Sequence, residues 1–160
     1  LKQFSIFKSI MKNDAYIAEL ESNLKPTSTH KGVTIIKEGD AGDAMFILLK
    51  GRIEIQKRTL GKQPYTVTIL DESQNIFFGE LALVDTETRS ATVIALTDCE
   101  LLTLSRKDFL ELGSKIPEMG WILLTEISHI LSQRLRKAND EAIILFEALK
   151  INRSTIISAI

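Results

Sequence analysis

Phe78-Gly79-Glu80-Leu81-Ala82-Leu83-Val84-Asp85-Thr86-Glu87-Thr88-Arg89-Ser90-Ala91-Thr92-Val93 is the most informative stretch of this chain. A glycine and a carboxylate open a short apolar turn, and a lone arginine followed by small residues closes the segment. If Gly79 to Leu83 forms one helical turn after a strand, its first N–H groups have no intrahelical partners and point outward with the positive end of the helix dipole. Gly79 lets backbone approach a ligand, and Ala82 and Ala91 add no bulk. Arg89 supplies a full positive charge and a planar fork of donors suited to two phosphate oxygens. Glu80 would repel a bare phosphate, so it needs a different task. A carboxylate accepts from hydroxyl donors, and a ribose beside the phosphate would give it one. Two readings stand at this point: a pocket for a sugar phosphate, or a tight turn in which Glu80 pairs with Arg89.

Upstream, from Lys31 to Leu104, apolar residues alternate with polar ones. Val33 and Ile35 flank Thr34, Ile53 and Ile55 flank Glu54, and Val67 and Ile69 interleave with Thr66 and Thr68. Turn signals fall between these runs at Gly39-Asp40, Gly42-Asp43, Lys50-Gly51 and Gly61-Lys62-Gln63-Pro64. Short β-rich runs separated by turns predict an antiparallel sandwich or roll, not alternating β-α-β units. Before them, Phe4 to Leu24 carries helical spacings, with Asn13 or Asp14 at an N-cap position, which predicts two short helices closed off by Pro26.

Downstream, Ser105 followed by Asp108 resembles a capping box and predicts a short helix through Leu112, ended by Gly113. Pro117 suits the first turn of a second helix running to about Leu149, roughly 50 Å at 1.5 Å per residue. Leu124, Ile127, Leu131, Leu135, Ala138, Ala142, Leu145 and Leu149 recur along it at intervals of three and four, a seam for its own domain or for a partner helix. Trp121 near its start is expected to serve as a core or hinge residue, or to cover a bound base.

The 160 residues suffice for one domain, and 20 basic residues against 21 acidic ones leave a formal net charge of -1, with no basic stripe for nucleic acid. A single cysteine, Cys99, lies in an apolar stretch; it excludes an internal disulfide and suits a buried site in a reducing, cytoplasmic setting. No apolar run reaches the roughly 20 residues of a membrane span. Two histidines about a hundred residues apart supply neither a metal cluster nor a Ser-His-Asp set, so no catalytic residue and no metal ligand is expected. The chain starts at Leu1 and ends on apolar Ile156 to Ile160, which reads as a piece of a longer protein carrying an effector domain.

Phe78 to Ala95 resembles the phosphate-binding cassette of the cyclic nucleotide-binding domain family, found in protein kinase A regulatory subunits, cyclic-nucleotide-gated channels and the bacterial catabolite activator protein. Gly32-Val33-Thr34-Ile35-Ile36-Lys37-Glu38-Gly39-Asp40 with Gly42-Asp43 and Gly51 is similar to the family's glycine-marked β-roll. The resemblance, spanning about Phe4 to Asn139, implies an α+β fold: an antiparallel, jelly-roll-like β-roll (25–105) between N-terminal helices (1–24) and a C-terminal short helix plus long helix (106–150), one domain over 1–150 with a tail at 151–160. It implies that Glu80 holds the ribose 2′-OH, that Arg89 holds the exocyclic phosphate oxygens, and that main-chain N–H groups of Gly79, Leu81, Ala82 and Ala91 complete the cradle, with the Ser90 hydroxyl beside them. Asn139 falls where a side chain would contact adenine, so cAMP is the expected ligand and cGMP the alternative. No cofactor, direct nucleic-acid contact or membrane contact is implied. The expected function is a regulatory module whose C-terminal helices move on binding. The competing expectation is a homodimer joined through the long helix, its pocket no longer functional.

Overall fold

The computed structural model describes residue 10 and residues 13–157, with side chains described as far as residue 150. Of the two N-terminal helices expected, the first lies outside the described residues apart from Ile10, which is fully buried. The second is α1 (Asp14–Asn23), capped by Asn13, whose side chain accepts from the Ala15 N–H at 3.0 Å.

Eight strands follow: β1 (Lys25–Thr29), β2 (Thr34–Ile36), β3 (Ala44–Lys50), β4 (Arg52–Arg58), β5 (Pro64–Asp71), β6 (Phe77–Phe78), β7 (Thr92–Ala95) and β8 (Cys99–Ser105). They form two four-stranded antiparallel sheets, ordered β1-β8-β3-β6 and β2-β7-β4-β5. This is the β-roll expected from the resemblance, and α2 (Leu81–Val84) interrupts it between β6 and β7. The sheet begins earlier than Lys31, where the apolar alternation starts, because β1 already pairs with β8 from Lys25. Pro26 fits there since β1 ends its sheet, where a missing N–H costs no ladder bond.

Ile36, Leu48, Ile53, Phe78, Val93, Ala95, Cys99 and Leu101 form a core cluster. Phe46 stacks on Phe78 at 5.5 Å between ring centroids and so fastens β3 to β6, the strand that leads into the cassette. Cys99 is buried as expected. The face of β5 is the reverse of a simple apolar-inward reading. Leu70 pairs with buried Ile53 and packs on the core, while Val67 and Ile69 face outward, and the register shifts at Ile55/Gln56.

After β8 comes α3 (Arg106–Lys115), then Ile116 alone, then α4 (Pro117–Ile157), which runs past Leu149. Ser105 caps α3 by accepting from the Asp108 N–H at 3.0 Å. Aspartate, one methylene shorter than glutamate, turns back to the Ser105 hydroxyl, which donates to Asp108 Oδ2 at 2.7 Å. Gly113 does not end α3. It lies inside the helix, where a Cβ built on Gly120 would come within 2.7 Å of its Cα, so the two glycines let α3 and the first turn of α4 touch backbone to backbone. Trp121 is 73% exposed and is no core residue.

The chain divides into two compact units, residues 1–123 and 124–160. The first holds the roll, α1 to α3 and the start of α4. The second is the remainder of α4, along which Leu135, Ile143, Ile144, Leu145, Phe146 and Leu149 are exposed. Among the described residues no helix is long and apolar enough to cross a membrane.

Candidate functional site

β6 delivers the chain to Gly79, whose φ of +75° is a left-handed conformation that a side chain disfavours. That turn aims the chain into α2, which buries Ala82 and Leu83 against the fold. Glu80, the N-cap residue of α2, is 3% exposed and is the one buried charged side chain among the described residues. Burying a carboxylate costs several kcal/mol unless charge and hydrogen bonds offset it. Arg89 contributes to that offset, because the two groups attract each other electrostatically.

Arg89 reaches the cassette from the loop before β7. Its Nη1 donates to the Gly79 carbonyl at 3.1 Å and its Nη2 to the Ala44 carbonyl at 2.7 Å. Burial is the largest influence on the guanidinium and lowers its pKa, while the carboxylates of Asp43 and Glu80 oppose that shift. Space for the side chain comes from missing Cβ atoms. One built on Gly42 would lie 1.9 Å from Arg89 Nε, and one on Gly79 would lie 2.8 Å from Nη1. The backbone of the arginine is fixed as well: its carbonyl accepts from the Gly39 N–H at 2.9 Å and its N–H donates to the Asp40 carbonyl at 2.8 Å.

The structure thus brings Gly79, Glu80, Leu81, Ala82 and Arg89 together around α2, with Ser90 and Ala91 following directly on the arginine. Ser90 is exposed and Ala91 half-buried. The main chain is not uniformly open to a ligand: the Ala82 N–H donates to the Gly79 carbonyl at 3.2 Å, as a first helical turn requires. Asn139 belongs to the second unit and is exposed there.

Gly42, Asp43, Ala44 and Arg106 have roles the sequence does not disclose, since it marks Gly42-Asp43 as a turn within the glycine-marked roll and Arg106 only as the first residue of a helix. The Arg106 N–H donates to the Asp43 carbonyl at 2.5 Å, and its guanidinium donates to the Asp85 carbonyl at the end of α2. One residue at the start of α3 therefore holds both the loop beside Arg89 and the end of the cassette helix. The cue available in sequence is spacing: Gly42-Asp43 directly precedes β3, the strand against which β6 is laid.

A family model described as "Cyclic nucleotide-binding domain" matches residues 26–115, more than half of the chain. The chain belongs to the cyclic nucleotide-binding domain family. The matched segment is a regulatory domain of that family and contains both Glu80 and Arg89. The cyclic AMP receptor protein of Thermus thermophilus is 33% identical over 111 residues, covering 69% of this chain and 49% of that protein. The cAMP-dependent protein kinase regulatory subunit of Dictyostelium discoideum is 28% identical over 120 residues, 74% of this chain and 36% of that one. Among solved structures, the Thermus thermophilus catabolite activator protein superposes with a TM-score of 0.77 at 28% identity, over 88% of this chain and 62% of that one. The chain spans about half the length of the first curated relatives it matches. Among the described residues no group of three or more His, Cys, Asp and Glu is placed to hold a metal.

Proposed function

We propose that this domain binds a cyclic nucleotide between Glu80 and Arg89, prefers cAMP to cGMP, and passes occupancy on to the helices after Ser105. The observation that carries the reading is the pairing of a buried carboxylate, Glu80, with a guanidinium seated in a cradle that Gly42 and Gly79 keep free of side chains. A carboxylate and an arginine at one glycine-lined turn suit a ligand that presents a hydroxyl and a phosphate together. In this assignment Glu80 takes the ribose 2′-OH and Arg89 the exocyclic oxygens. Gly79, Leu81 and Ala91 offer main-chain N–H groups, and Ser90 its hydroxyl, whereas the Ala82 N–H is held by the Gly79 carbonyl.

The preference for cAMP draws on the two curated relatives above, both named for cyclic AMP, and on Asn139 as the adenine contact. The coupling draws on Arg106: order imposed on α2 reaches the start of α3 through the Asp85 carbonyl. No reaction is assigned to the domain, and a cytoplasmic setting with an effector elsewhere in a longer protein fits it.

Calorimetric titration with cAMP and cGMP tests this. The wild-type chain binds both, cAMP more tightly, and Arg89→Ala lowers affinity by about 100-fold, the scale of removing a desolvated charged partner. Arg89→Lys, which keeps the charge but loses the fork, falls between them. Absence of binding by the wild type, or undiminished binding by Arg89→Ala, overturns the reading. Asn139→Ala narrows the ratio between the two nucleotides if Asn139 contacts adenine. A second reading, self-association through α4, is favoured by the exposed apolar residues from Leu135 to Leu149. Sedimentation with and without cAMP separates the two, because a pure dimerising module does not respond to nucleotide.

A further inference from the structure

A concave site lies away from Glu80 and Arg89, neither of which lines it. It is a groove of about 360 Å³ lined by residues of the turn after β2, the end of β4 and the β4–β5 hairpin. Lys37, Lys57, Arg58 and Lys62 face Glu38 alone, so four cations meet one carboxylate and leave a surplus of three positive charges. The carboxylate is already engaged: Glu38 Oε2 accepts from the Arg58 N–H at 2.9 Å, and Arg58 Nη2 donates to the Glu38 carbonyl at 2.8 Å. Lys37, Lys57 and Lys62 are exposed and make no ion pair among the described residues, whereas Lys25, Lys50, Lys107, Lys115 and Lys137 each do. Three unpaired lysines around one concavity repel one another, and an anionic occupant relieves that repulsion.

The hairpin beside them is a built turn. The Thr59 N–H donates to the Gln63 carbonyl at 2.9 Å, the Lys62 N–H to the Thr59 carbonyl at 2.8 Å, and Lys62 takes a φ of +60°. Leu60 stands at its apex fully exposed and contributes nothing to the core.

We propose that this groove docks an acidic peptide segment of a partner protein, with an apolar side chain of that segment resting on Leu60. Charge complementarity selects the acidic character, and Leu60 selects a peptide over a phosphate chain. Nucleic acid fits less well, because the whole chain carries -1 and the groove +3, which leaves -4 over the remaining surface that a long polyanion would cross. The groove shares a wall with the nucleotide cradle: the Glu38 N–H donates to Thr92 Oγ1 at 3.0 Å, and the next residue, Gly39, is bonded to Arg89.

Fluorescence anisotropy of the full 160-residue chain tests the proposal. The probe is a labelled twelve-residue peptide of Glu, Asp and Leu, read against its Gln/Asn counterpart at about 50 mM and about 200 mM salt. The acidic peptide binds and its amide counterpart does not, and salt weakens the binding. Lys37→Glu/Lys57→Glu/Lys62→Glu lowers affinity about tenfold or more, Leu60→Ser lowers it a few-fold, and Lys31→Glu/Lys107→Glu leaves it unchanged. All these side chains are exposed, so an unchanged thermal midpoint and unchanged cAMP titration verify the variants. Equal binding of both peptides, or full binding by the triple variant, overturns the proposal. So does single-stranded DNA or a phosphatidylserine vesicle binding through the three lysines where the acidic peptide does not.

Discussion

The roll and the helix beyond Leu124 employ the same aliphatic residues to opposite effect. Ile36, Leu48, Ile53 and Val93 are closed off from water by strands of their own chain, whereas Leu135, Ile143, Leu145 and Leu149 stand 58–69% exposed along α4. Both stretches show clear apolar periodicity. Periodicity identifies which face of an element is apolar; whether anything covers that face depends on partners elsewhere. In the roll those partners are fixed by antiparallel pairing within the chain.

The contrast is measurable in stability. Leu48→Ala leaves a cavity in a fully enclosed site and is expected to cost about 2–5 kcal/mol in denaturant unfolding. Gly79→Ala comes next, at about 1–3 kcal/mol, because it adds both the strain of a positive φ and a clash with Arg89; it weakens cAMP binding in the same preparation. Asp108 sharpens the comparison through pH. Its hydrogen bond from Ser105, helped by Lys25, holds its carboxyl below the usual aspartate value. A lowered folded value means the stabilisation is complete above the unfolded pKa near about 4 and is lost as pH falls through the folded value. Asp108→Asn is therefore expected to lower stability at neutral pH, and the gap to wild type closes below about pH 4 in denaturant unfolding. Leu145→Ala, in the exposed stretch, changes unfolding of the chain by less than about 0.5 kcal/mol; a larger loss that scales with protein concentration would show that a partner covers the seam.

The legible parts of the molecule are those where local chemistry and tertiary role coincide. Asn13 and Ser105 are helix caps in sequence and in space, and Pro117 opens α4 as its fixed φ suggests. Glu80 and Arg89 stand out because a carboxylate and an arginine in one small-residue stretch suit either a turn or a ligand, and the structure gathers them at a single turn. What stays hidden is set by contacts distant in sequence. Gly113 carries every mark of a helix stop, yet its requirement is the backbone of Gly120. The outward face of Val67 and Ile69 follows from pairing with β4, which β5 alone cannot reveal. Gly42 looks like any turn glycine until a side chain arriving from residue 89 occupies the space of its Cβ.

Arg89 also has a finite stock of protons to offer. A guanidinium carries five N–H groups, and here one on Nη1 and one on Nη2 go to the carbonyls of Gly79 and Ala44. These bonds stitch the entrance of α2 to the start of β3, two segments that meet only through the fold. A phosphate served by the remaining donors leaves the stitch intact, whereas one that competes for these two must loosen it. With Arg89 as the proposed phosphate contact, affinity for the ligand and cohesion of the two loops are drawn from one inventory, and a change that frees the arginine from either carbonyl trades one for the other.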